Sequence, residues 1–301
     1  MPTKKIGDQV QVEESPRVGV RKTYKLFIGG AFPRSESGRS YVVSDSDGQF
    51  LANAALASRK DVRDAVGAAR AAVAPWSGAT AYNRGQILYR IAEMLEGRRA
   101  QFTDAVREGE GVAKSAAAAQ VDASIDRWVW YAGWSDKVAQ VHGNANPVAG
   151  PFFNLTTPEP TGVVGVVAPA EPSLLGLVSV VAPVIVTGNT CVVLASEDRP
   201  LPAITLAEVL ATSDLPGGVV NLLTGRVAET APWLAAHMDV IAVDLAGVAD
   251  AGLATDLEVA AAENLKRVTR PRPDVDWWAE PGLERLFAFL EAKTVWHPKG
   301  V

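Results

Sequence analysis

Three short apolar runs separated by helix-length segments constrain this chain more than any other feature. The first, Thr161-Gly162-Val163-Val164-Gly165-Val166-Val167-Ala168-Pro169, is rich in β-branched residues and stopped by proline, the pattern of a buried strand. Residues 174–187 (LLGLVSVVAPVIVT) are apolar on most faces and are followed by Gly188-Asn189, a C-terminal stop, which predicts a buried helix. A second strand is predicted at 190–194 (TCVVL), a second helix over 203–212, and a third strand at 218–224 (GVVNLLT), ending at Gly225. Parallel neighbours need a long crossover, so strands spaced by helices indicate βαβ units. The predicted fold class is α/β, a Rossmann-like, doubly wound parallel sheet.

The rest of the chain dresses that sheet. Residues 1–21 are charged and irregular, which predicts a loose arm, and residues 24–32 alternate towards a Gly29-Gly30 turn, a small hairpin. Residues 42–57 continue in short extended pieces. Residues 61–74 (DVRDAVGAARAAVA) and 84–95 place apolar residues three and four apart, giving two amphipathic helices, with a further helix over 102–119. Trp128, Trp130 and Trp134 form an aromatic stripe expected to be buried on one more helix. The polar residues at 61–64 and 107–110 are expected on solvated helix faces. After Thr269, Arg270-Pro271-Arg272-Pro273-Asp274-Val275-Asp276-Trp277-Trp278 cannot be helical and predicts an exposed linker over 270–281. The remainder, 282–301, is expected to hold one amphipathic helix (GLERLFAFLEAK, 282–293) and the short strand Thr294-Val295-Trp296-His297-Pro298.

Composition narrows the function classes. Of 301 residues, 48% are apolar and 21% charged, the profile of a soluble globular protein with ample core, and a formal charge of −5 gives no reason to expect nucleic acid or an anionic membrane as partner. The single cysteine cannot close an internal disulfide and fits a reducing compartment. The first residues carry no apolar stretch behind their lysines, and the run at 174–186 is too short for a bilayer, so a cytoplasmic location is expected. The three histidines, His142, His237 and His297, have no ligand-like spacing, and no metal site is expected.

The same residues carry a family resemblance. PEPTGVVGVVAP (158–169), then APVIVTGNTCVVLASEDRPLPAITLAEVLATSDLPGGVVNLLTG (182–225), resembles the cofactor-binding domain of the aldehyde dehydrogenase superfamily. The likeness continues through His237-Met238-Asp239-Val240-Ile241-Ala242 and Asn264-Leu265-Lys266-Arg267-Val268-Thr269. Upstream it includes Lys25-Leu26-Phe27-Ile28-Gly29-Gly30 and Asn83-Arg84-Gly85-Gln86-Ile87-Leu88. It implies a cofactor-type domain over 22–269, with 144–160 as an oligomerisation hairpin and the ending after 282 as its companion. The catalytic domain that the family places between such a Thr269 and such an ending has no counterpart, so the chain resembles the non-catalytic second half of tandem aldehyde dehydrogenase fusions.

What the resemblance implies about chemistry is mostly loss. The family's nucleophilic thiolate would lie in the missing domain, and Cys191, inside TCVVL, is expected to be a buried structural thiol. Glu171 of Pro169-Ala170-Glu171-Pro172-Ser173 stands where the family has its oxyanion-donating asparagine; a carboxylate only accepts hydrogen bonds and repels a developing oxyanion. Pro271 stands where the general-base glutamate belongs. No catalytic residue is therefore assigned. Ala195 replaces the ribose-holding lysine, leaving Glu197 as a candidate for ribose hydroxyls and Gly225 as a degenerate cofactor-side glycine. The family's phosphate turn has its nearest match in Gly247-Val248-Ala249-Asp250-Ala251-Gly252, where Val248 lacks a hydroxyl and Asp250 adds repulsion. The expectation is a subunit that holds no cofactor firmly and scaffolds or modulates a full-length aldehyde dehydrogenase paralogue, which would bind NAD(P), in a hetero-oligomer. A free-standing NAD(P)-binding regulator and an active dehydrogenase using Cys191 are the alternatives.

Overall fold

The computed structural model describes residues 22–272 and 274–300, so the arm expected over 1–21 lies outside the described residues. The chain starts with β1 (Thr23–Tyr24), β2 (Ser40–Ser44) and β3 (Phe50–Ala55), a small sheet in the order β1-β3-β2. Helices α1 (Arg59–Ser77), α2 (Ala81–Glu96), α3 (Arg99–Glu110), α4 (Lys114–Trp134) and α5 (Val138–His142) follow, then β4 (Asn144–Asn146) and β5 (Phe152–Pro160). The alternating part is β6 (Val163–Val167), α6 (Leu175–Val186), β7 (Thr190–Leu194), α7 (Leu201–Leu210), β8 (Val220–Leu223), α8 (Val227–Ala236), β9 (Ala242–Asp244), α9 (Ala251–Ala262) and β10 (Arg267–Thr269). The short α10 (Glu284–Phe287) and β11 (Leu290–Pro298) end the described chain.

The central sheet is parallel throughout, in the order β10-β9-β6-β7-β8. The order reverses at β6, so α6 and α7 pack on one face and α8 and α9 on the other, the doubly wound arrangement expected from the sequence. Burial on both faces is why β6, β7 and β8 are continuous apolar runs without polar alternation. Val164, Val166, Cys191, Val193 and Leu222 point to the α6–α7 side; Val163, Val167, Val192, Leu194 and Val243 meet α1, α8 and α9 on the other. All twelve residues of α6 are buried, because α2 and α4 form a third layer over it. Within that layer Trp128 and Tyr131 are fully enclosed, while Trp130 and Trp134 pack partly on the core.

Local chemistry sets the entry to this core. Ser58 and Asp61 form a reciprocal capping box at α1, and the Asp61 carboxylate also accepts from Ser35 Oγ at 2.7 Å and Glu36 N at 3.0 Å. Asp61 is therefore buried, which corrects its expected place on a solvated face. The Gly29-Gly30 turn is a tight hairpin closed by mutual Ile28–Ala31 hydrogen bonds. Phe27 bridges Leu222, so this hairpin covers the outer edge of β8, which would otherwise be open to pairing.

Two further expectations are corrected. The helix predicted over 102–119 is split at Gly111, which takes the left-handed φ of 67° as α3 ends and where an added Cβ would overlap Ser46. The helix predicted over 282–293 shrinks to α10, and Leu290 to Lys293 instead start the nine-residue β11. Glu291, Ala292 and Lys293 favour helix by only a few tenths of a kcal/mol each, whereas in the sheet they meet Glu159, Pro158 and Thr157 of β5. β11 runs antiparallel to the whole of β5, and β5 also pairs with β4. The hairpin and the C-terminal strand thus satisfy one another within the chain, and among the described residues the outer edges of β11 and β4 have no ladder partner. Among the described residues, no helix is long and apolar enough to cross a membrane.

Candidate functional site

In an open parallel sheet the ligand crevice lies outside the carboxyl ends of the strands, where helix N-termini present unpaired amides. Here those amides meet the chain's own side chains. Before α6, Ser173 donates its amide and its hydroxyl to Glu110 Oε1, each at 2.6 Å, and Leu174 N donates to Gln120 Oε1 at 3.0 Å. Gln120 Nε2 ties the two acceptors together by donating to Glu110 Oε2 at 2.9 Å. At α8, Val227 N donates to Glu197 Oε2 at 3.1 Å. At α9, Asp250 is the N-cap and accepts from Leu253 N at 2.6 Å. Each carboxylate sits where the helix dipole favours negative charge, the place an anionic ligand group would take.

The candidate residues resolve individually. Glu197 follows β7, and besides capping α8 it forms an ion pair with Arg226, whose guanidinium lies 5.4 Å from the centre of the Tyr41 ring. The Tyr41 hydroxyl donates to Glu197 O at 3.0 Å, and burial, followed by the Glu197 charge, raises the phenol's pKa. These groups border a polar cleft of about 420 Å3 that also includes Ser44, Asp45 and Arg199. Gly225 has φ 141°, and an added Cβ would come within 3.0 Å of Ala57 N, so the glycine is needed to let the 56–58 segment pass. Glu171 forms an ion pair with Arg199 across the β6–α6 and β7–α7 loops.

Val248 is buried, and an added Cβ on Gly247 would overlap the Ala168 carbonyl, so the 247–252 turn is packed against the end of β6. Cys191 is fully buried, 0% exposed, on the α6–α7 side of β7, and desolvation pushes its thiol pKa up, which disfavours the nucleophilic thiolate. Glu171, Glu197, Gly225 and Asp250 do gather around the carboxyl ends of the strands; Cys191 is inside the sheet. Among the described residues, no group of three or more His, Cys, Asp or Glu side chains could hold a metal ion.

Three residues at this end of the sheet carry roles that local pattern did not reveal. Glu110, expected on a solvated face, is instead the acceptor beneath the α6 entry. Asp244, at the end of β9, is 1% exposed, accepts from Ala246 N at 3.0 Å and pairs with Arg285 of α10 at 2.9 Å. Burial pushes the Asp244 carboxyl up, against the opposite pull of Arg285. Arg127 of α4, 8% exposed, donates to Ser179 Oγ at 2.8 Å and to the carbonyls of Trp277 and Ala279, both at 2.9 Å. The segment expected as an exposed linker is thereby fastened down, and α10 brings Leu286 and Phe289 into the main core beside α6. Asp244 is a lone polar residue in an apolar strand pattern, which is a signal for it, whereas Arg127 follows Asp126 on a helix with other polar residues and carries no such signal.

Comparison with known proteins agrees with this architecture. The sequence model of the aldehyde dehydrogenase family matches residues 32–270. The chain is 34% identical over 251 residues to cytosolic aldehyde dehydrogenase 1 of Elephantulus edwardii, covering 81% of this chain and 49% of that protein. It is 31% identical over 280 residues to the mitochondrial aldehyde dehydrogenase of Rattus norvegicus, covering 87% of this chain and 53% of the relative. Among solved structures, the NAD+ complex of aldehyde dehydrogenase from Bacillus cereus superposes with a TM-score of 0.78 at 26% identity, over 82% of this chain and 50% of that one. The chain therefore spans about half the length of the relatives it matches. With the motifs in family order, the doubly wound sheet and these likenesses in agreement, the chain belongs to the aldehyde dehydrogenase family.

Proposed function

We propose that this chain is a non-catalytic, cytoplasmic member of the family that assembles with a complete aldehyde dehydrogenase and scaffolds or modulates it. The observation that carries the reading is the filling of the helix N-termini by Glu110 with Gln120, Glu197 and Asp250. A dinucleotide does not fit this donor set. Its pyrophosphate would have to displace a cap that already neutralises the amides, or lie against a carboxylate, and Val248 offers it no hydroxyl. The chemistry is equally unsupported. Cys191 is sealed in the sheet, Glu171 is an acceptor paired with Arg199, and Pro271 can neither give nor take a proton.

The assembly half of the proposal rests on β11. Its outer edge presents a row of backbone donors and acceptors, and strand addition to a neighbouring sheet would satisfy them. Exposed Phe153 and Leu155 flank the intermediate Val295 on one face of this small sheet, while Trp296 packs edge-on to Phe152 at 5.7 Å. Such half-exposed apolar side chains would become anchors in an interface. The test is co-expression of the tagged chain with a complete relative from the same cells, with and without residues 294–301. The expected result is co-purification of the intact chain and its loss on truncation, with no aldehyde oxidation by the chain alone. Equal co-purification of the truncated chain would remove the strand-addition model.

A further inference from the structure

On the α8–α9 side of the sheet, a groove of about 580 Å3 lies between the first turn of α1 and the end of α8. Its walls carry Arg59, Lys60 and Arg63 from α1, and Trp233 from α8 with the following His237. Among the described residues no carboxylate lines it, although the chain as a whole has a formal charge of −5. Arg59 makes no ion pair among the described residues; its guanidinium lies 4.1 Å from the centre of the Trp233 ring. Lys60 and Arg63 reach outward to Glu36 at 3.1 Å and Asp64 at 2.8 Å, exposed pairs that are readily exchanged.

The core does not require Trp233. Thr230, Ala231, Leu234 and Ala235 are the buried residues of α8, and the indole stays 44% exposed. The groove has the size of a small-molecule site and combines a flat aromatic surface with two guanidinium groups and an ammonium group. The ligand class that uses both features is an aromatic ring carrying phosphate. An inorganic anion would leave the indole idle, and an acidic peptide would leave it without a stacking partner.

We propose that this groove binds a free mononucleotide. The base stacks on the indole of Trp233 in place of the Arg59 guanidinium, and Arg59, released, joins Lys60 and Arg63 on the phosphates. The capping box already serves the α1 amides, so the side chains and not the helix end hold the charge. The site is separate from the carboxyl end of the sheet and does not depend on the function proposed above.

The experiment is calorimetric titration of the full chain with ADP, and separately with adenosine, inorganic phosphate and a poly-glutamate peptide, at low ionic strength. It is repeated on Trp233→Leu and on the Arg59→Gln/Arg63→Gln double variant. These positions are exposed, and thermal melts matching the parent verify that the variants fold. The expected result is ADP binding with a Kd below about 1 mM, weakened at least about tenfold in each variant, with adenosine and phosphate each binding more weakly than ADP. Three results would overturn the proposal. One is no ADP binding at that concentration. The second is unchanged affinity in the folded variants. The third is phosphate or poly-glutamate binding as tightly as ADP, which would make the groove a general anion patch.

Discussion

Replacing Arg127 with methionine is expected to lower the unfolding free energy by about 1–3 kcal/mol, because hydrogen bonds from a charged donor contribute about 1.5–3 kcal/mol each and water can replace part of those to the half-buried Trp277 and exposed Ala279. Methionine approximates the aliphatic stem and leaves little cavity, so the loss falls on the polar contacts. Ser179 keeps its own bond to Leu175 O at 2.7 Å. The Trp277 and Ala279 carbonyls lose the guanidinium that joins them to α4. The damage should therefore concentrate in the chain before α10. A denaturant melt should show the lower midpoint, and limited proteolysis should cut the variant between 274 and 283 while the parent stays intact under the same conditions. Arg127→Lys would rescue little, since one ammonium cannot span three acceptors in the plane a guanidinium fits. An unchanged midpoint and an unchanged digest would show that Arg127 does not fasten this segment.

The second large effect concerns Cys191. A thiol reagent should modify the native chain at least about a thousandfold more slowly than the unfolded chain, since a domain stable by about 5 kcal/mol opens its core in roughly one molecule in several thousand. The residue is paired on both sides, to Val164 and Val220, and its side chain shares the apolar cluster beneath α6 and α7. Exposing it requires lifting α6 and α7 from the sheet or parting the strands. Mass spectrometry after timed labelling, with and without denaturant, gives both rates. Native labelling at a rate near that of the unfolded chain would place Cys191 in reach of a substrate and reopen the dehydrogenase reading.

The parts of the fold that were legible are those where local pattern and tertiary burial demand the same thing. TCVVL has one solution in a sheet covered on both faces, and the strand spans Thr190–Leu194 as the sequence predicts. The α1 pattern works for the same reason, with Val62, Ala65, Val66 and Ala69 on the buried stripe. The reading failed where a distant partner decides. Leu290 to Lys293 carry helix-forming residues, and only β5, far away in sequence, makes them a strand. The helix predicted over 102–119 breaks because Gly111 turns left-handed where it passes against Ser46, which is distant in sequence. At the site, Glu197 was visible as the remaining candidate for ribose hydroxyls and Asp250 as a repulsive substitution in the family's phosphate turn. That they occupy helix N-termini was not, because a cap across 30 residues of chain, as between Glu197 and Val227, leaves no local signature. Glu110 was hidden for the same reason, being 63 residues from Ser173.

The capped helix ends make one measurement decisive, a calorimetric titration of the purified chain with NAD and with NADP. With Glu110, Glu197 and Asp250 holding the amides, neither dinucleotide should bind at the carboxyl ends of the strands tighter than a Kd of about 1 mM, a binding free energy of about −4 kcal/mol, any heat from the α1–α8 groove being identified by its loss in Trp233→Leu. Heat signals saturating near a Kd of about 1 μM, about −8 kcal/mol, and abolished by Glu197→Ala would contradict the account, because they would place a working cofactor site at the ends of these strands.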